Sequence, residues 1–237
     1  MRCYPSEADF LRLARRGNVI PVYGELLADL ETPVSAFLKL DDGRLSFLLE
    51  SVEGEEKVAR YSFLGTQPRM VVTSTGRHVE LTEYRRGQRP TTKRFETRTD
   101  PLAELERLMR NFRFVTVPGL PRFCGGFVGY VGYDVVQFLE RLPPHQVDDL
   151  HLPDIMLMLA DAMVIFDHAQ HRLLLVINVM GHGRLTAASY RQAVSRIEAM
   201  AAQLRRPLPV TRPQRPRRPA GRSVRSNVTR AEFTKMV

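Results

Sequence analysis

Glu50 and Ser51 stand where an apolar run, Phe47-Leu48-Leu49, stops abruptly. A carboxylate beside a hydroxyl at a strand end sets an acceptor next to a donor, which is how a sheet presents a polar pocket floor. On the residues alone, Glu50 reads more readily as an ordinary strand-end carboxylate.

Other residues suggest chemistry less well. Cys124 to Asp134, CGGFVGYVGYD, lacks the Gly-Lys-Ser/Thr ending of a phosphate loop. Its glycines at 126, 129 and 132 do not match the dinucleotide fingerprint, and close backbone packing explains them better. His168 and His171, with Asp167, fall at a hairpin turn, where polar residues are expected to face water. His145 and His151 lie in a polar loop with Asp148, Asp149 and Asp154, without the spacing of a helical zinc site. Cys3 and Cys124 form neither a metal pattern nor a disulfide framework, which suggests reduced thiols.

The elements that must position these residues are legible in part. Ser6 with Asp9 resembles a capping box for a short helix, with Phe10, Leu11, Leu13 and Ala14 on one side and Gly17 as its stop. Asn18 to Tyr23 is a strand candidate. Thr32-Pro33 opens a helix ending at Leu40, before the Asp41-Asp42-Gly43 turn. From Arg44 to Glu96 the chain reads as successive strands, including Tyr61 to Leu64. Asp100-Pro101 opens a helix with Leu102, Leu105, Leu108 and Met109 at helical spacing, and Asp134 to Leu142 looks helical. Ile155 to Phe166 and Arg172 to Val179 read as two long strands, and Thr186 caps a helix to Leu204. Consecutive strands with few intervening helices predict an α+β fold, with mostly antiparallel sheets packed as a sandwich and helices outside.

The net charge of +9 is local, because residues 205–225 hold eight Arg and no acid. Arg mixed with Pro makes an extended, solvated linker, and no aromatic residues accompany the arginines to suggest nucleic-acid binding. No apolar run reaches the ~18 residues of a membrane span, and the N-terminus has no apolar signal core. A cytoplasmic protein, with no membrane or nucleic-acid partner, is expected. Thr229 and Glu232 then stand at capping-box spacing, with Phe233, Met236 and Val237 on one side. Isolated helices below ~12 residues are marginal in water, so this helix start is expected to continue in the natural product.

Several ordered segments resemble anthranilate synthase component I. They are TPVSAFLKL (32–40), FLLESVEGEEKVARYSFLG (47–65), CGGFVGYVGYDVVQFLERLP (124–143) and LPDIMLMLADAMVIFDH (152–168). The closing SNVTRAEF (226–233) resembles the start of that family's chorismate-binding domain. The resemblance implies an N-terminal domain over 1–204, the Arg/Pro-rich linker over 205–225 and the beginning of the chorismate-binding domain over 226–237.

The family converts chorismate, with ammonia or glutamine-derived ammonia, to anthranilate and pyruvate for tryptophan biosynthesis. Magnesium is required by the complete enzyme, and L-tryptophan inhibits. The residues for chorismate and magnesium belong to the larger C-terminal domain, so no catalytic residue and no cofactor is expected on this chain. The LLES element forms one wall of the family's tryptophan pocket, which implies that Leu49, Glu50 and Ser51 contact the inhibitor, with Arg60, Tyr61 and Ser62 as a buttress. The opposite wall is absent here, so weak binding is expected. The implied partner is the glutamine amidotransferase subunit. The related aminodeoxychorismate synthase component I, or a non-catalytic amino-acid-binding module, are the alternatives.

Overall fold

The computed structural model describes residues 1–50, 60–85, 87–142, 148, 150–181, 183–208 and 226–236. After the short strand β1 (Cys3–Tyr4), Ser6 caps α1 (Glu7–Leu13) by accepting the Asp9 N–H at 3.2 Å. Phe10 is fully buried, whereas Leu11, expected beside it, is a surface residue. Strand β2 (Val19–Leu27) runs longer than the predicted 18–23. Thr32 and Ser35 form a reciprocal capping box for α2 (Pro33–Leu40), which ends where the Asp-Asp-Gly turn predicts. There follow β3 (Ser46–Leu49), β4 (Tyr61–Thr66), β5 (Met70–Thr75), β6 (His78–Glu83) and β7 (Thr91–Glu96). Asp100 caps α3 (Pro101–Met109), accepting the Ala103 N–H at 2.7 Å.

The glycine-rich segment is strand β8 (Gly126–Val131), and only Tyr133–Phe138 of the expected helix forms, as a 3-10 helix. A Cβ on Gly129 would stand 1.9 Å from the Met156 carbonyl oxygen. This glycine therefore serves backbone packing, the structural reading the sequence favoured. Next come β9 (Ile155–Ala160), β10 (Ala162–Asp167) and β11 (Arg172–Met180). Thr186 and Ser189 cap α4 (Ala187–Leu204). Thr229 and Glu232 make the predicted capping contacts ahead of α5 (Arg230–Met236).

The strands form two antiparallel sheets. One is six-stranded, in the order β1-β2-β11-β10-β4-β3, and the other five-stranded, β7-β6-β5-β9-β8. The α+β class with antiparallel sheets is thus as expected. The single strand expected over 155–166 is not. It is two strands in different sheets, parted only by Asp161. Asp161 is 5% exposed, and its carboxylate accepts Arg196 Nη1 of α4 at 2.9 Å. Its carbonyl accepts the Asn178 N–H of β11 at 2.7 Å. Periodicity could not show the break, because both halves are buried and apolar.

The larger core lies on the six-stranded sheet. Leu173 to Ile177 of β11 are each at most 1% exposed. Each such aliphatic side chain contributes roughly 1.5–3 kcal/mol of burial free energy. A Cβ on Gly24, which pairs with Leu175, would lie 3.1 Å from Ile197 Cγ2, so this face meets α4. The opposite face meets the 123–125 segment, where Asn178 Nδ2 donates to the Cys124 carbonyl at 2.8 Å. Burial on both faces explains an apolar run without alternation. The second core packs Leu102, Leu105 and Leu108 of α3 on β5, β6 and β9, whereas Met109 is exposed.

Breaking a buried ion pair from one side leaves the other charge uncompensated, at about 3–5 kcal/mol. Arg196 is 28% exposed along its side chain, which moderates the effect. Asp161→Ala is expected to destabilise the fold by about 2–3 kcal/mol. The check is the midpoint of urea denaturation; a variant within about 0.5 kcal/mol of the parent would remove Asp161 as the anchor of the sheet crossing.

Candidate ligand-binding site

Leu49 closes edge strand β3, paired with Phe63 of β4 and 45% exposed. Glu50 follows, exposed, and forms no ion pair with any other described residue. Ser51, the third predicted contact, lies outside the described residues. The β3–β4 register, extended one residue past its last pair, sets position 50 across from Ser62.

The start of β4 is tied to the end of β10. Arg60 grips Asp167 in a two-point contact, Nε to Oδ1 and Nη2 to Oδ2, each at 2.9 Å. The His168 N–H donates to the Arg60 carbonyl at 2.9 Å. Ser62 Oγ and His168 Nε2 are hydrogen-bonded at 2.8 Å. The Arg60 guanidinium lies over the Tyr61 ring at 4.9 Å, and Tyr61 packs on Phe63 with ring centroids 6.0 Å apart. Arg60 and Ser62 thus tie the start of β4 to the end of β10.

The structure corrects the expectation that Asp167 faces water. It is 1% exposed, whereas His168 and His171 are at the surface. Burial acts against ionisation of Asp167, but the hydrogen bonds and charge of Arg60, with the charge of Arg172, outweigh it and hold the carboxyl below the usual carboxylate range. The same hydrogen bonds raise the Arg60 pKa. Arg172 also donates to Glu25 Oε1 at 2.7 Å. Sequence reading missed Asp167 and His168 because their partners are distant along the chain.

Beside this cluster lies a cavity of about 310 Å³, between the start of α2 and the β10–β11 turn. Ala28, Pro33 and Phe166 supply apolar lining, and His168 and His171 stand at its edge. Its carboxylates are already satisfied. Glu31 is held by Lys39 and by Ser35 Oγ at 2.6 Å, and Asp167 by the arginines.

Other candidates reduce to local structure. His151 N–H donates to Asp148 Oδ1 at 2.9 Å in an exposed turn; that hydrogen bond, with the imidazole's, lowers the Asp148 pKa. His145 and Asp149 lie outside the described residues. Burial pushes the Cys124 thiol up to about 11, far from a reactive thiolate, and Cys3 is raised for the same reason. Among the described residues no group of three His, Cys, Asp or Glu could hold a metal ion. The magnesium implied for the complete enzyme therefore finds no donor set among them. Nor is any described helix long and apolar enough to cross a membrane.

The described residues form an antiparallel two-sheet α+β domain. Residues 46–237 match the sequence profile of the chorismate binding enzymes, and the chain belongs to that family. It is 36% identical over 201 residues to anthranilate synthase component 1 of Acetivibrio thermocellus, covering 85% of this chain and 39% of the relative. It is 39% identical over 204 residues to anthranilate synthase component 1 of Pseudomonas putida, covering 84% and 40%. A probable anthranilate synthase component 1 of Schizosaccharomyces pombe is 35% identical over 233 residues, covering 96% and 43%. The crystal structure of anthranilate synthase component I from Streptococcus pneumoniae aligns with a TM-score of 0.46 at 20% identity, over 78% of this chain and 37% of that one. The chain thus spans about two-fifths of the length of the curated relatives it matches.

A carboxyl whose pKa is lowered by folding contributes stability that is fully present above its unfolded value. That stability is lost as pH falls through the folded value. Asp167 is depressed, so the Arg60–Asp167 contribution is expected to fade below the ordinary aspartate range near pH 4. Asp167→Asn should flatten the acid limb of stability against pH between about 4 and 2 while lowering stability at pH 7. An unchanged acid limb in urea denaturation would contradict this.

Proposed function

We propose that the chain is the tryptophan-responsive part of an anthranilate synthase component I. The complete enzyme would convert chorismate and ammonia to anthranilate and pyruvate in tryptophan biosynthesis. Three things support this reading: family membership, the relatives' shared description, and the LLES strand end. The observation that carries it is the exposed Glu50, unpaired among the described residues, just past the end of the braced edge strand β3. In this reading Glu50 meets the ammonium group of L-tryptophan, Ser51 donates a hydrogen bond and Leu49 packs on the indole. The other wall of the pocket, the chorismate and magnesium residues and the surface for the glutamine amidotransferase subunit belong to the complete enzyme.

The test is titration of this chain with L-tryptophan, followed calorimetrically and by amide shifts at Leu48 to Glu50. Partial enclosure predicts weak binding, with a Kd on the order of 1 mM, or about −4 kcal/mol. Glu50→Gln and Ser51→Ala should each weaken it, and indole-3-propionate, which lacks the ammonium group, should not bind. Absence of a tryptophan response, or a response indifferent to both substitutions, would remove the proposed site. The chain alone should form no anthranilate from chorismate and ammonia.

A further inference from the structure

We infer that Asp167 is a positioning residue for the ligand-facing strand end, acting through Arg60 and seconded by His168. The inference rests on the reading of Glu50 as a ligand contact and goes beyond it, because Asp167 lies on β10, which β4 separates from β3. Among the described residues strand β3 has four residues and one hydrogen-bonded neighbour, so its placement is inherited from β4. The start of β4 is the last rung of its ladder with β10, Tyr61 opposite Asp167, and side-chain contacts reinforce that rung.

The structure supplies holds on both sides. On one, the fully buried Asp167 carboxylate fixes Arg60, whose guanidinium covers Tyr61; Tyr61 packs on Phe63, the cross-strand partner of Leu49. On the other, His168 Nε2 fixes Ser62, across from position 50. The His168 N–H on the Arg60 carbonyl joins the two. A two-point contact to a planar guanidinium sets direction as well as distance, which a single-point contact does not.

The experiment compares D167N, which keeps shape and loses charge, with V72A, which trims the core of the other sheet. Two readouts are taken: amide hydrogen exchange of peptides covering Phe47–Leu49 without ligand, and affinity for L-tryptophan. The expected result for D167N is at least tenfold faster exchange in those peptides than for V72A, and tryptophan affinity at least fivefold weaker than for V72A. The inference is overturned if D167N matches V72A in exchange, or if the parent chain binds tryptophan and the two variants bind it equally. Tryptophan silence in the parent chain, with exchange still accelerated in D167N, would sink the ligand reading and leave the positioning role standing. Should D167N not fold, R60K makes the same comparison, since lysine keeps the charge and loses the two-point geometry; equality of R60K with V72A would likewise overturn the inference.

Discussion

The architecture depends on a buried carboxylate at the point where the chain leaves one sheet for the other. Only Asp161 separates β9 from β10, so no loop is available to absorb the turn. A charge at 5% exposure is tolerable only when paired, and Arg196 of α4 supplies the pair. One contact therefore fixes both the sheet crossing and the position of the longest helix. The return crossing, from β4 to β5, runs alongside: β10 neighbours β4 in one sheet and β9 neighbours β5 in the other. The Arg69 N–H donates to the Leu159 carbonyl at 3.0 Å, joining the two crossings. The sheets consequently share a corner made of two adjacent chain segments.

Local chemistry made the helix starts legible. Ser6, Thr32, Asp100, Thr186 and Thr229 all cap as their side chains predict, because capping is decided within four residues. The break at Asp161 was not legible. A buried apolar run carries no mark of which sheet it joins, and an acid within it looks like an interruption instead of an anchor. Of the three spaced glycines, Gly129 and Gly132 press on the backbone of Met156 and Asp154, the close packing the sequence favoured, whereas Gly126 meets only Phe123 at 4.0 Å.

At the candidate site, exposure of Leu49 and Glu50 followed from the abrupt end of an apolar run. The brace beneath it did not. Asp167 sits next to two histidines at a hairpin, a pattern normally solvated, and only the fold brings Arg60 against it. Buried charge is invisible to a reading based on neighbours in sequence, because the compensating charge comes from another strand. Ordered segments spread over most of the chain conveyed the family resemblance more securely than any one motif.

The charges near the strand end divide into a closed set and an open one. Asp167 and Glu25 are matched by Arg60 and Arg172, which leaves that cluster neutral, although the buried Arg172 Nε has no hydrogen-bond partner among the described residues. Guanidinium groups prefer a carboxylate that can take two hydrogen bonds out of water's reach, and Asp167 offers this while the solvated Glu50 does not. The preference separates the two roles that carboxylates play at the ends of β3 and β10, which β4 parts. The buried one makes the scaffold rigid and consumes the nearby positive charge. The exposed one is unpaired among the described residues and left clear of the nearby arginines, which the proposed recognition of an ammonium group requires.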